Sequence, residues 1–135
     1  MDKIFPFKYI VLPGLGKVFS PQVRIGLYTI NGVVDYDFLV DTGSDLTTLP
    51  YYMATILDID LKKCKTSTAE GLGGHIVKTW LVKVKLIIQD EIIEVRASIT
   101  NENSTPFLLG RADLLDKMFG WSFDANKKQI IFSRI

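Results

Sequence analysis

One cysteine and one histidine are all that this 135-residue chain carries of the residue types most used for covalent staples and metal sites. Cys64 alone closes no internal disulfide, and nothing here implies an oxidising compartment. With His75 as the single histidine, a zinc site is not expected, and no cofactor is implied. Neither a cysteine–histidine couple nor a Gly-x-Ser-x-Gly turn is present, which excludes the common acyl-enzyme arrangements. Apolar runs such as Phe38 to Val40 and Ile130 to Phe132 fall far short of the roughly 20 residues of a membrane helix, so no membrane segment is expected. Basic blocks are also missing: net charge is +1, and beyond Lys62, Lys63 and Lys65 no cluster stands out, so nucleic acid is not an expected partner. The start, Met1-Asp2-Lys3-Ile4-Phe5-Pro6, has no apolar core and no small-residue cleavage site. The expected location is therefore cytoplasmic, and the chain can equally be a soluble piece of a longer protein.

What is present is a series of short strand patterns, 47% apolar overall, of a length that suits one domain over 1–135. Residues 1–20 hold the breakers Pro13-Gly14 and Gly16 and read as an N-terminal arm or edge strand. Val23, Ile25 and Leu27 alternate with Arg24, Gly26 and Tyr28, the period of a half-buried strand. Asn31-Gly32 predicts a two-residue hairpin turn, and Val34, Tyr36, Phe38 and Val40 carry the return strand. Tyr51 to Leu57 predicts a short helix with Pro50 near its first turn. Residues 66–80, with Gly71, Gly73 and Gly74 at the tip, predict a mobile hairpin, and strand patterns follow at 82–86 and 93–99. Phe107 to Gly110 is an apolar strand ending in glycine, and Leu114, Leu115 and Met118 predict a short amphipathic helix over 111–119. A last hairpin is predicted over 121–135 around the polar turn 124–128. The class is all-β with one or two short helices. A weak internal repeat relates 23–57 to 82–119, and only the first copy carries an acid in its loop, in Asp41-Thr42-Gly43.

An aspartate at the end of an apolar strand is costly to desolvate and needs hydrogen-bond partners or a shared proton. Alone, Asp41 has three chemical options: metal ligand, nucleophile, or half of a proton-sharing pair. Too few further ligands are available for the first. A pair of carboxylates activating water remains, and its second member must come from another copy, because the chain has one Asp-Thr-Gly. A twofold homodimer would set two Asp41 side chains across its axis.

The segment Phe38-Leu39-Val40-Asp41-Thr42-Gly43-Ser44-Asp45-Leu46-Thr47, with Phe107-Leu108-Leu109-Gly110-Arg111 downstream, resembles the retropepsin-like aspartic proteases. These are single-domain homodimeric relatives of retroviral proteases and pepsin. The resemblance covers about residues 20 to 120 and implies a closed-barrel-like acid protease fold with one lobe per chain. It implies Asp41 as the catalytic acid, Thr42 as the hydroxyl that bonds across the dimer axis, and Gly43 as a backbone contact to substrate. It further implies that Asp45 and Arg111 pair beside the site, and that Gly71, Leu72, Gly73 and Gly74 belong to a flap, 66–80, closing over a peptide. Leu108, Leu109 and Gly110 match the segment threading behind the loop. Ser44 stands where retroviral members have alanine. A hydroxyl bonded to the ionised carboxylate would favour its charged form and make the pH optimum more acidic. The chain beyond Phe119 is longer than in compact retroviral members, so the seam between subunits can differ.

Two readings follow. The first is an aspartic endopeptidase acting as a homodimer on peptide or protein substrates, with apolar walls favouring hydrophobic residues around the cut. The second is a non-catalytic peptide-binding or scaffold module that keeps the fold.

Overall fold

The computed structural model describes residues 2–115 and 117–135, and of Leu72 only the backbone. In chain order the strands are β1 (Lys3–Pro6), β2 (Lys8–Leu12), β3 (Gly16–Ser20), β4 (Gln22–Thr29), β5 (Gly32–Val40), β6 (Thr47–Leu49), β7 (Thr66–Glu70), β8 (Ile76–Ile88), β9 (Glu91–Thr100), β10 (Leu108–Leu109), β11 (Phe119–Asp124) and β12 (Gln129–Arg134). A single short α-helix among the described residues, α1, covers Met53–Ile56. The main sheet runs β4-β5-β10-β6-β9-β8-β7, and a further β4–β8 pairing closes it into a barrel. Alternation dictates what fills that barrel. Val23, Ile25 and Leu27 of β4, Phe38 of β5, Leu86 of β8 and Ile99 of β9 point inward and are buried. Each such side chain contributes about 1.5–3 kcal/mol relative to exposure.

The β8–β9 hairpin is the longest pairing. Its ladder is unbroken from Thr79↔Thr100 to Ile88↔Glu91. β8 also supplies the outer arm of the β7–β8 hairpin expected over 66–80, so the strand patterns at 76–80 and 82–86 are one continuous strand. The terminal strands form a separate three-stranded sheet, β1-β12-β11, which includes the C-terminal hairpin expected over 121–135. Glu91, at the turn between β8 and β9, forms ion pairs with Lys3 of β1, at 3.3 Å, and with Arg134 of β12. Both terminal strands are thereby tied to the same barrel corner. The arm of residues 1–20 is more regular than expected, since β2 and β3 make a second hairpin of their own.

Two local expectations are corrected. The β4–β5 turn has Ile30 and Asn31 at its tip, since Thr29 pairs with Gly32. Only Gly32 has a positive φ, +89°, the pattern of a turn closed by a glycine bulge in place of the Asn-Gly turn. Secondly, 111–119 is not an amphipathic helix. Arg111–Leu115 is an irregular turn in which Ala112 is extended (φ −57°, ψ 130°) and Asp113 is left-handed (φ 67°). The Arg111 and Ala112 N–H groups donate to the Ser44 and Asp45 carbonyls at 3.0 and 2.8 Å. Those long-range bonds override the helical period. Leu114 and Leu115 are nevertheless buried, and Asp116 lies outside the described residues.

Candidate active site

Asp41 follows directly from β5, and two neighbours, antiparallel β4 and parallel β10, hold the strand end in place. β10 runs parallel to β5, with Leu109 opposite Val40, and antiparallel to β6, with Leu108 opposite Thr48. The Asp41 N–H donates to the Leu109 carbonyl at 3.0 Å. The loop then turns tightly: the Ser44 N–H donates to the Asp41 carbonyl at 3.1 Å, and the Gly43 N–H donates to Asp41 Oδ1 at 3.0 Å. Among the described residues the other carboxylate oxygen accepts no hydrogen bond. Thr42 and Gly43 are exposed at the apex, and Asp41 is half-buried.

Gly110 decides how closely β10 threads behind this loop. A Cβ there would sit 2.3 Å from the Leu46 carbonyl carbon, 2.4 Å from its oxygen and 2.7 Å from the Thr47 nitrogen. Only glycine permits that approach. The Gly110 N–H, buried by it, donates to the Thr47 hydroxyl at 3.2 Å, and Thr47 is itself fully buried. Arg111 pairs with Asp45, as the resemblance implies, and its Nη1 donates to the Thr42 carbonyl at 3.1 Å. One guanidinium therefore braces both sides of the loop. The Asp45 carboxylate is 88% exposed, so the pair's worth lies in orientation more than in stability.

Ser44 does not fill the role expected of it. Its hydroxyl donates to the Leu46 carbonyl at 2.7 Å, so it stabilises the chain's exit from the turn and does not hydrogen-bond Asp41. The β7 strand stands across from the loop. Between them lies a cleft of about 650 Å³, bounded by Gly43, Ser44 and Asp45 on one side and by Thr66 to Glu70 on the other. Gly71, Gly73 and Gly74 do not line it. They close the hairpin tip, where the Gly71 N–H donates to the His75 carbonyl at 2.8 Å. His75 Nε2 lies 2.7 Å from Glu102 Oε1, which ties the tip to the loop after β9.

The cleft walls are mixed: Leu46, Ala69 and Leu81 supply the apolar surface expected from the sequence, and hydroxyl residues stand among them. Thr48, Thr79 and Ser98 line the cleft, together with the hydroxyl residues of β7. Strand alternation explains this: the ladder puts Thr79 and Ser98 on the face opposite Val82 and Ala97, which turn into the core. A hollow of about 830 Å³ beside α1, lined by Tyr51, Tyr52 and Trp80 among others, includes no residue of the Asp41 loop.

Three further residues escaped sequence reasoning. Thr47 is one. The others are Arg96 and Asp113, which join β9 to the irregular turn. Arg96 Nε and Nη2 reach Asp113 Oδ2 and Oδ1 at 2.8 and 3.0 Å, and the Arg96 N–H adds a bond to Oδ2 at 3.0 Å. The fork holds the Asp113 carboxyl well below its usual range, down to about 2. No local pattern marks that pair; its members are 17 positions apart and meet only through the barrel.

A sequence profile of the family described as Aspartyl protease matches residues 27–113, a span that includes both Asp41 and Arg111. A search of curated proteins finds no match. Among solved structures, the chain is similar to a retropepsin-like aspartic protease from Rickettsia conorii, at 25% identity and a TM-score of 0.60, over 94% of this chain and 98% of that one. It is also similar in fold to EIAV protease complexed with the inhibitor HBY-793, at 21% identity and a TM-score of 0.54, over 78% of this chain and 91% of that one.

Proposed function

Because the chain belongs to the aspartyl protease family and has a retropepsin-like fold, we propose that it hydrolyses peptide bonds as a homodimer, with Asp41 as the catalytic acid of each subunit. The observation that carries this reading is the state of the Asp41 loop. One carboxylate oxygen is held by the Gly43 N–H and the other accepts no hydrogen bond among the described residues, at an exposed apex whose shape is fixed by Leu109, Gly110 and Arg111. It is half of a site. A second copy related by a twofold axis brings a second carboxylate, and the Thr42 hydroxyl of each apex faces the other subunit.

Two carboxylates held that close do not both ionise readily, and so share one proton. The ionised member takes a proton from water as it attacks the peptide carbonyl. The protonated member donates to the carbonyl oxygen, and the resulting diol collapses with proton transfer to the leaving amine. No group of the protein becomes covalently attached to substrate. The peptide lies extended between the Asp41 pair and the β7–β8 hairpin, which acts as the flap, and forms strand-type hydrogen bonds with Gly43 and the hairpin backbone. Ser44 and Asp45 line its path, and Arg111 holds Asp45 and the Thr42 carbonyl in register.

The test is cleavage of an unstructured protein at acidic pH. Loss of cleavage in Asp41→Asn, and on adding an inhibitor that mimics the tetrahedral intermediate of aspartic proteolysis, is the expected result. Activity that survives Asp41→Asn rejects the catalytic assignment. Sedimentation showing monomer alone with full activity rejects the shared pair.

A further inference from the structure

We propose that the pocket under the flap hairpin selects a neutral hydrogen-bonding side chain of the substrate (Asn, Gln, Ser or Thr) close to the cut bond; this rests on the proteolytic reading above. Three hydroxyl residues from three strands lie in its floor, beside Leu46 and Leu81. Thr48 lies directly opposite Ser98 in the parallel β6–β9 pairing, and Thr79 lies on the same face, two residues from Leu81, the partner of Ser98. Thr79 and Ser98 are 6% and 8% exposed, so these are enclosed positions. Each would accommodate an aliphatic side chain on steric grounds, as the opposite face of the same strands does with Val82, Val95 and Ala97.

The hydroxyls differ in what they already bond. Thr48 donates to the Leu46 carbonyl at 3.0 Å. Among the described residues the Thr79 and Ser98 hydroxyls make no hydrogen bond within the chain, although both open onto the cleft that begins at Gly43. An apolar side chain docking there would strip water from two donors and offer nothing back, whereas a carboxamide or hydroxyl satisfies both. Charge points the same way. Lys65 at the rim stands with Glu70 and with Asp45, and Asp45 is neutralised by Arg111, so the rim has no dominant sign to attract a charged side chain. A site built to bond a polar group discriminates strongly against a substrate lacking it, more than an apolar pocket discriminates by size.

The experiment is cleavage-site mapping by mass spectrometry on a peptide library randomised on both sides of the cut, using the wild-type chain, Asp41→Asn, and Thr79→Val with and without Ser98→Ala. The expected result is enrichment of Asn, Gln, Ser and Thr at one position within two residues of the cut. In the double variant the relative kcat/KM at that position shifts about tenfold toward Val and Leu, with preferences elsewhere unchanged. Thr79→Val alone, which keeps side-chain volume, shows a smaller shift in the same direction and serves where the double variant does not fold. Asp41-dependent cleavage with aliphatic residues preferred at every position overturns this inference alone. The same follows if the variants leave the preference unaltered. A library left uncut by the wild-type chain, or cut equally by Asp41→Asn, overturns the proteolytic reading and this inference with it.

Discussion

Replacing Gly110 by alanine tests how far the Asp41 loop depends on one close backbone approach. The added carbon would lie 2.3 Å from the Leu46 carbonyl carbon and 2.7 Å from the Thr47 nitrogen. Ordinary contact begins near 3.4 Å, so the two segments must part by about 1 Å, the difference of 3.4 and 2.3. Both clashing atoms are backbone, and no rotamer change relieves them. Overpacking of this kind costs about 1–3 kcal/mol. The Gly110–Thr47 hydrogen bond, 3.2 Å and buried, stretches at the same time. For a chain of this size the loss is roughly 4 °C in Tm per kcal/mol, so about 4–12 °C in a thermal melt. Activity falls further, because a displacement of about 1 Å in groups that position the chemistry can cost on the order of a hundredfold in rate. Gly120→Ala is the matched control. It adds the same methyl in β11, where the nearest atom is the Ser133 carbonyl oxygen at 4.0 Å, and its Tm should stay within about 2 °C of wild type. Equal Tm and equal kcat/KM for Gly110→Ala and wild type would refute the reasoning; equal losses in both variants would show that the effect is not specific to the loop.

Two other outcomes follow from particular contacts. Asp113→Asn keeps the size and tolerates the left-handed backbone while removing the charge that Arg96 binds. Since the folded carboxyl sits at about 2, below its ordinary 3.8, the pair's contribution is fully present above pH 4 and disappears as pH falls through about 2. Denaturant titrations should therefore find the variant less stable by on the order of 1 kcal/mol at neutral pH and equal to wild type near pH 2, and a pH-independent gap would sink the assignment. Ser44→Ala should leave the acidic limb of the pH–rate profile where it is, because the hydroxyl donates to the Leu46 carbonyl and not to Asp41; a displaced limb would show that the hydroxyl turns to the carboxylate in the working enzyme.

What the sequence by itself determined is everything written in local periodicity and in one unusual juxtaposition. Alternation placed β4, β5, β8 and β9, because a half-buried strand must present every second residue to the core. An aspartate delivered by an apolar strand into Thr-Gly marked the loop, because a charge at that point needs a reason. The Asp45–Arg111 pair came from resemblance, and the tertiary fold forms it. Contacts across the barrel lay outside any local pattern. The helical period at 114, 115 and 118 is real, yet Arg111 and Ala112 hydrogen-bond to the Asp41 loop and their turn unwinds. The demand for glycine at 110 arises from Leu46 and Thr47, more than sixty positions away, as does the role of Thr47. Whether Thr79 and Ser98 face core or cleft depends on a register that pairs them with neighbours far along the chain. Side-chain type says that a hydroxyl needs a partner; only the fold says whether that partner is within the chain or must arrive with a substrate.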